Sequence, residues 1–116
     1  MKVIAGVDDM FFASKIRETA KHLGVEVRFA RNPDGLIEAS RKETPDLIIV
    51  DLNSEKLDPI RLARTLKEQE GLSSTLLGFC SHVQTELIRD AEQAGYDRVL
   101  PRSAFTKQLP AILTGS

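Results

Sequence analysis

The sequence predicts an α/β domain, a parallel sheet of short strands with helices on both faces. Three observations carry this. Short apolar runs alternate with amphipathic helical stripes all along the chain, and strict strand–helix alternation implies parallel strands joined by crossover helices. The run Leu47-Ile48-Ile49-Val50 has no polar residue and lies between Pro45 and Asn53-Ser54, which marks a strand buried on both faces. Gly24, Gly71 and Gly95 each stand where a helical stripe stops, the place for a carboxyl-terminal cap.

Taken in order, Lys2-Val3-Ile4-Ala5-Gly6-Val7 is a first strand that runs into Asp8 and Asp9. Phe12, Ile16, Ala20 and Leu23 form the first helical stripe. Val25-Glu26-Val27-Arg28-Phe29 alternates at period two, a second strand with one face less buried. Asn32-Pro33 is a helix start, with the Asn32 side chain as cap and the fixed φ of Pro33 in the first turn. Leu36, Ile37, Ala39 and Ser40 continue that helix up to Pro45.

The third strand ends at Asp51, and after a loop to Asp58 a helix opens at Pro59 with the stripe Ile60, Leu62, Ala63 and Leu66. The charged run Lys67-Glu68-Gln69-Glu70 reads as its solvated end. Thr75-Leu76-Leu77-Gly78-Phe79-Cys80 is a fourth strand entering Ser81-His82, followed by a helix carrying Leu87, Ile88, Ala91 and Ala94. Arg98-Val99-Leu100 is a brief fifth strand ended by Pro101-Arg102-Ser103. Pro110 would break a helix begun at Ser103, so the last helix is placed from Thr106 through Leu113.

At 116 residues, the chain is expected to be one domain, spanning 1–116. Its 16 basic and 17 acidic residues give a net charge of −1, against a nucleic-acid-binding face. No apolar run is long enough to span a bilayer, and a cytoplasmic, soluble protein, monomeric or weakly dimeric, is expected. Cys80 is the single cysteine, which excludes an internal disulfide and suits a reducing compartment.

In a parallel sheet all carboxyl ends face one way, and open α/β sheets put their ligand sites there. Asp8 and Asp9, then Asp51, then Ser81 or Cys80, then Arg102 follow the first, third, fourth and fifth strands. Clustered carboxylates repel, and a hard cation such as Mg²⁺ relieves them. A carboxylate can be the nucleophile in phosphoryl transfer, with a hydroxyl and a fixed cation holding the phosphoryl oxygens. Each aspartate taken alone is most simply a turn or helix cap, but capping alone does not account for the set.

With these residues, the whole chain resembles a two-component response-regulator receiver domain of the CheY-like type. The resemblance implies a flavodoxin-like (βα)5 fold with strand order 2-1-3-4-5. It implies that Asp51 is the phosphoacceptor and that Asp8, Asp9, Asp51 and the carbonyl of Asn53 hold Mg²⁺. Ser81 is the corresponding switch hydroxyl, with Cys80 fitting that position equally by spacing, and Arg102 stands where the family has lysine. A histidine kinase or phosphotransfer protein is then the donor and a downstream protein the target, in a bacterial phosphorelay. Such a domain at most catalyses its own phosphorylation and dephosphorylation.

The departures from that pattern are specific. Glu55 stands where the family usually has proline, Pro59 where it has glycine, and His82 where a small residue follows the hydroxyl. The order Pro101-Arg102 replaces lysine-proline, and Val99 takes the place of the aromatic that reports activation. Arginine is not a neutral exchange for lysine; its alternative role is a constant ion pair with Asp51 in a pseudo-receiver, a binding module that works without phosphorylation.

A phosphatase of the haloacid-dehalogenase type also has an aspartate nucleophile after a buried strand. It has a second acid two residues on, where this chain has Asn53, which cannot donate a proton in that role. His82 reads as a loop residue flanking the pocket, with His22 away on the first helix. Cys80 reads as a buried small hydrophobe. Glu55 is placed to block or orient an attacking water, Phe12 begins the core stripe, and Phe11, if exposed, marks a contact surface.

Overall fold

A computed structural model describes residues 1–81 and 84–115. The elements run β1 (Lys2–Gly6), α1 (Met10–Leu23), β2 (Glu26–Ala30), α2 (Pro33–Glu43), β3 (Leu47–Asp51), α3 (Pro59–Arg64), β4 (Thr75–Cys80), α4 (Thr85–Ala94), β5 (Arg98–Pro101) and α5 (Arg102–Leu113). A π-helical turn, Thr65–Gln69, continues α3. The five strands are parallel, as the alternation implies, in the order β2-β1-β3-β4-β5 that the resemblance implies.

Pleating sorts the β3 side chains into two cores. Ile48 and Val50 meet α2, α3 and α4 through Leu36, Ala39, Leu62, Ala63 and Ala91. Leu47 and Ile49 meet α1 and α5 through Phe12, Ile16, Phe105 and Leu109. Every β3 residue is buried, as the unbroken apolar run requires. β2, at the sheet edge, keeps Glu26 and Arg28 exposed.

Local rules hold at most boundaries. The Asn32 side chain accepts from the Gly35 N–H at 2.7 Å, with Pro33 in the first turn of α2. Gly24 takes a left-handed φ of 70° at the end of α1, and the Val25 N–H reaches back to the Ala20 carbonyl at 2.9 Å. This spends Val25 on the helix cap, so β2 starts one residue later than its alternation predicts.

Two expectations are corrected. The last helix begins at Arg102, directly from β5, and contains Pro110 in its interior instead of near its start. An interior proline costs about 3 kcal/mol. Burying Phe105, Leu109, Ile112 and Leu113 returns about 1.5–3 kcal/mol each, so tertiary burial outweighs the local rule. The run Lys67–Glu70 is not simply solvated. Glu70 takes a two-pronged contact from Arg41 at 2.7 Å, and Lys67 lies 3.3 Å from Asp97.

Candidate functional site

The strand register brings the site together. Gly6 pairs with Val50, so the residues after β1 stand beside Asp51; Asp51 pairs with Phe79, and Phe79 with Leu100. Two residues beyond that last row are Ser81 and Arg102. Arg102, the first residue of α5, reaches Asp51 through its guanidinium, and Ser81 directly follows β4. Cys80, fully buried, points into the core under α2, α3 and α4. Spacing leaves Ser81 and Cys80 equivalent; Cys80 is buried and Ser81 is exposed.

Asp51 is 3% exposed. It is fixed by the turn it starts: Oδ1 accepts from the Asn53 N–H at 3.0 Å, and the Ser54 N–H bonds back to the Asp51 carbonyl at 3.2 Å. Leu52 anchors the same turn, donating its N–H to the Phe79 carbonyl at 2.8 Å while its side chain lies over Gly78. A Cβ at Gly78 would stand 2.8 Å from the Leu52 side chain, so glycine is what admits this close approach.

Asp9 both caps and serves the site. Its Oδ1 accepts from the N–H groups of Phe11 and Phe12 at 2.8 and 3.3 Å, satisfying the free donors that open α1. Its Oδ2 lies 3.6 Å from Arg102 Nη2, and the same nitrogen lies 3.9 Å from Asp51 Oδ2. The Arg102 guanidinium rests over the Phe12 ring, 4.6 Å from its centroid. Phe12 packs in turn against Phe79 and Phe105. The sequence marks Phe12 as core only. Its position three residues after Asp9, on the first turn of α1, is the signal that it borders the site.

Burial pushes the Asp51 carboxyl above the usual carboxylate range, and Asp9 and Asp8 push the same way; the Asn53 N–H and Arg102 oppose them. Asp8 is exposed beside Asp9. Asn53 has a role its sequence position did not show. Its side-chain oxygen accepts from the Ser81 N–H at 2.6 Å and its amide donates to Gln84 at 2.9 Å, tying the loop after β3 to the loop after β4. Glu55 is exposed on the first of these loops, and the charges acting on Asp51 come from Arg102, Asp9 and Asp8. His82 lies outside the described residues. Val99 is partly buried against the α2–α4 core, and Phe11 is 69% exposed.

Among the described residues no three acidic, histidine or cysteine side chains form a ready-made metal cluster. Mg²⁺ does not need one. It is held by one or two carboxylates with waters and phosphate oxygens, and the hard oxygens of Asp9 and Asp51 fit that requirement. A concavity of about 650 Å³ between α2 and α3 is lined by Arg41, Asp58, Arg61 and Glu70 among others and does not include Asp51.

The family model for the response regulator receiver domain matches residues 4–114. The chain belongs to the response regulator receiver family. Solved structures agree in fold. The signal receiver domain of NarL from Mycobacterium tuberculosis matches with a TM-score of 0.85 at 19% identity, over 98% of this chain and 93% of that one. The chemotaxis response regulator CheY4 of Vibrio cholerae gives 0.84 at 19%, over 98% and 96%. A response regulator from Hahella chejuensis gives 0.86 at 16%, over 97% and 92%. A search of curated proteins finds no match. Receivers are signalling domains of two-component systems that interact with histidine kinases or phosphotransfer proteins and with effector domains, and they typically bind Mg²⁺ at the phosphorylation site. Among the described residues no helix is long and apolar enough to cross a membrane.

Proposed function

We propose that this receiver accepts a phosphoryl group on Asp51 and signals through contact with a downstream protein. The observation that carries the reading is the setting of Asp51: a carboxylate at the carboxyl end of the central strand, one oxygen fixed by the Asn53 N–H and the other facing Arg102. In the transfer, an Asp51 carboxylate oxygen bonds to phosphorus as the imidazole nitrogen of a phosphohistidine donor departs with the bonding electrons and takes a proton from solvent. Arg102 offers the phosphoryl oxygens a charge-assisted partner, and the Ser81 hydroxyl, directly after β4, is the proposed second one.

Asp9, Asp51 and the Asn53 carbonyl are the groups proposed to hold Mg²⁺, with Asp8 alongside; when bound, it neutralises charge on the phosphoryl oxygens. The test is incubation with Mg²⁺ and a small phosphodonor, followed by mass mapping. Modification confined to Asp51 and lost in Asp51→Asn is expected; modification at another residue would contradict the assignment.

A pseudo-receiver is the second reading. It is favoured by Arg102, which already faces both carboxylates and balances part of their charge without a phosphoryl group. Partner binding indifferent to Asp51→Asn, together with no modification of the wild type, would establish it over the first.

A further inference from the structure

We propose that Arg102 is a built-in counter-cation of the Asp9 and Asp51 carboxylates, and that a divalent cation must displace it to bind. The inference rests on the phosphoacceptor reading of the site and concerns what sets its cation affinity.

One carboxylate oxygen of each acid is committed to backbone. Asp9 Oδ1 accepts from Phe11 and Phe12, and Asp51 Oδ1 accepts from Asn53. The second oxygen of each faces a single nitrogen, Arg102 Nη2, at 3.6 and 3.9 Å. Neither distance alone is a close ion pair, but one positive nitrogen lies within 4 Å of both acids, whose oxygens would also be the ones to hold a divalent cation.

Two features make this arrangement one of arginine in particular. The planar guanidinium stacks on Phe12, 4.6 Å from its centroid, where a lysine ammonium would lack the stacking surface. Phe12 is itself buried against Phe79 and Phe105, so the seat is fixed by the α1–α5 core.

Arg102 is nevertheless held at a disadvantage. It opens α5, where the helix dipole disfavours a cation. Its Nε is buried without a hydrogen-bond partner among the described residues, which carries a desolvation cost. Charge and stacking hold the guanidinium, not a completed hydrogen-bond set. A small, doubly charged ion competes for the same oxygens on better terms once Arg102 moves aside, and the wild-type affinity is reduced by the cost of that move.

The experiment is a Mg²⁺ titration at constant ionic strength, followed by backbone amide shifts of Asp9, Asp51 and Asn53. It compares wild type with Arg102→Ala, Arg102→Lys and Phe12→Leu, and adds no phosphodonor. Arg102→Ala is expected to bind Mg²⁺ tighter by about tenfold or more, the scale of removing one adjacent positive charge. Arg102→Lys and Phe12→Leu, which weaken the seat, are expected to fall between it and wild type. In wild type the Arg102 Nε–H signal is expected to shift in step with Asp9 and Asp51. Thermal melts with and without Mg²⁺ supply a second readout, the ion raising the melting temperature more in Arg102→Ala than in wild type.

Affinities within about twofold of wild type across the variants, or no saturable site in any of them, would overturn the proposal. That result is separate from failure of the phosphoacceptor reading, which modification of Asp51 decides.

Discussion

The site has two halves that are held in place differently. In the carboxylate half, at the ends of β1 and β3, each acid is fixed by backbone within three residues of itself: Asp9 by Phe11 and Phe12, Asp51 by Asn53. In the cation half, after β4 and β5, Arg102 is placed by Phe12 and Asp9 from the opposite end of the chain. The first half is built by local turn and cap geometry. The second exists only once α1 and α5 have packed on the same face of the sheet.

Replacing Asp51 tests the carboxylate half hardest. Asp51→Asn is expected to abolish modification and also to stabilise the fold near neutral pH. Because the folded-state value of this carboxyl is raised, the native state holds the proton more tightly than the unfolded chain. The group's contribution to stability is therefore greatest below the unfolded carboxylate value and falls as pH rises through the folded one. Urea melts should show the variant more stable than wild type at neutral pH, with the difference closing near pH ~3. Equal stability at both pH values would mean that burial does not penalise the ionised acid.

Gly78→Ala strikes the same half through packing. The added methyl meets Leu52 at 2.8 Å, next to Asp51, and should cost about 1–3 kcal/mol in denaturant melts, with amide shifts concentrated at Leu52 and Asn53. The cation half is reached through α5. Pro110 is exposed inside that helix, and Pro110→Ala should raise stability by about 1–3 kcal/mol while leaving the Asp51 amide shift in place. A shift at Asp51 would show that the halves are more tightly coupled than their separate supports imply.

The smallest effect is expected where the halves touch. Asn53→Ala removes the contacts to the Ser81 N–H and Gln84 and should cost about 1 kcal/mol. Faster hydrogen exchange at Ser81 is the direct readout. Unchanged exchange would mean that the loop after β4 is held by other contacts.

The same division explains what could be read from the sequence. An unbroken apolar run closed by an acid fixes β3 and Asp51 together, and the glycine stops and Asn32-Pro33 fix helix ends, because each depends on near neighbours. Parallel strands follow from the alternation, and their order from the resemblance. The different settings of Ser81 and Cys80 are not legible from spacing; they depend on the pairing of Cys80 with Pro101 and the burial of the Cys80 side chain on the far face. The last helix was misplaced because a local rule about Pro110 was set against long-range burial of Phe105, Leu109, Ile112 and Leu113, which no window of sequence displays. The seat of Arg102 on Phe12 was illegible for the same reason.

The most direct measurement is an amide NMR titration with Mg²⁺ and then beryllofluoride, a stable stand-in for the aspartyl phosphate. Shifts centred on Asp9, Asp51, Ser81 and Arg102 that require both additions are expected of a phosphoacceptor with arginine in place of lysine. Mg²⁺ shifts with no beryllofluoride response, or no response to either, would contradict that account and leave the pseudo-receiver.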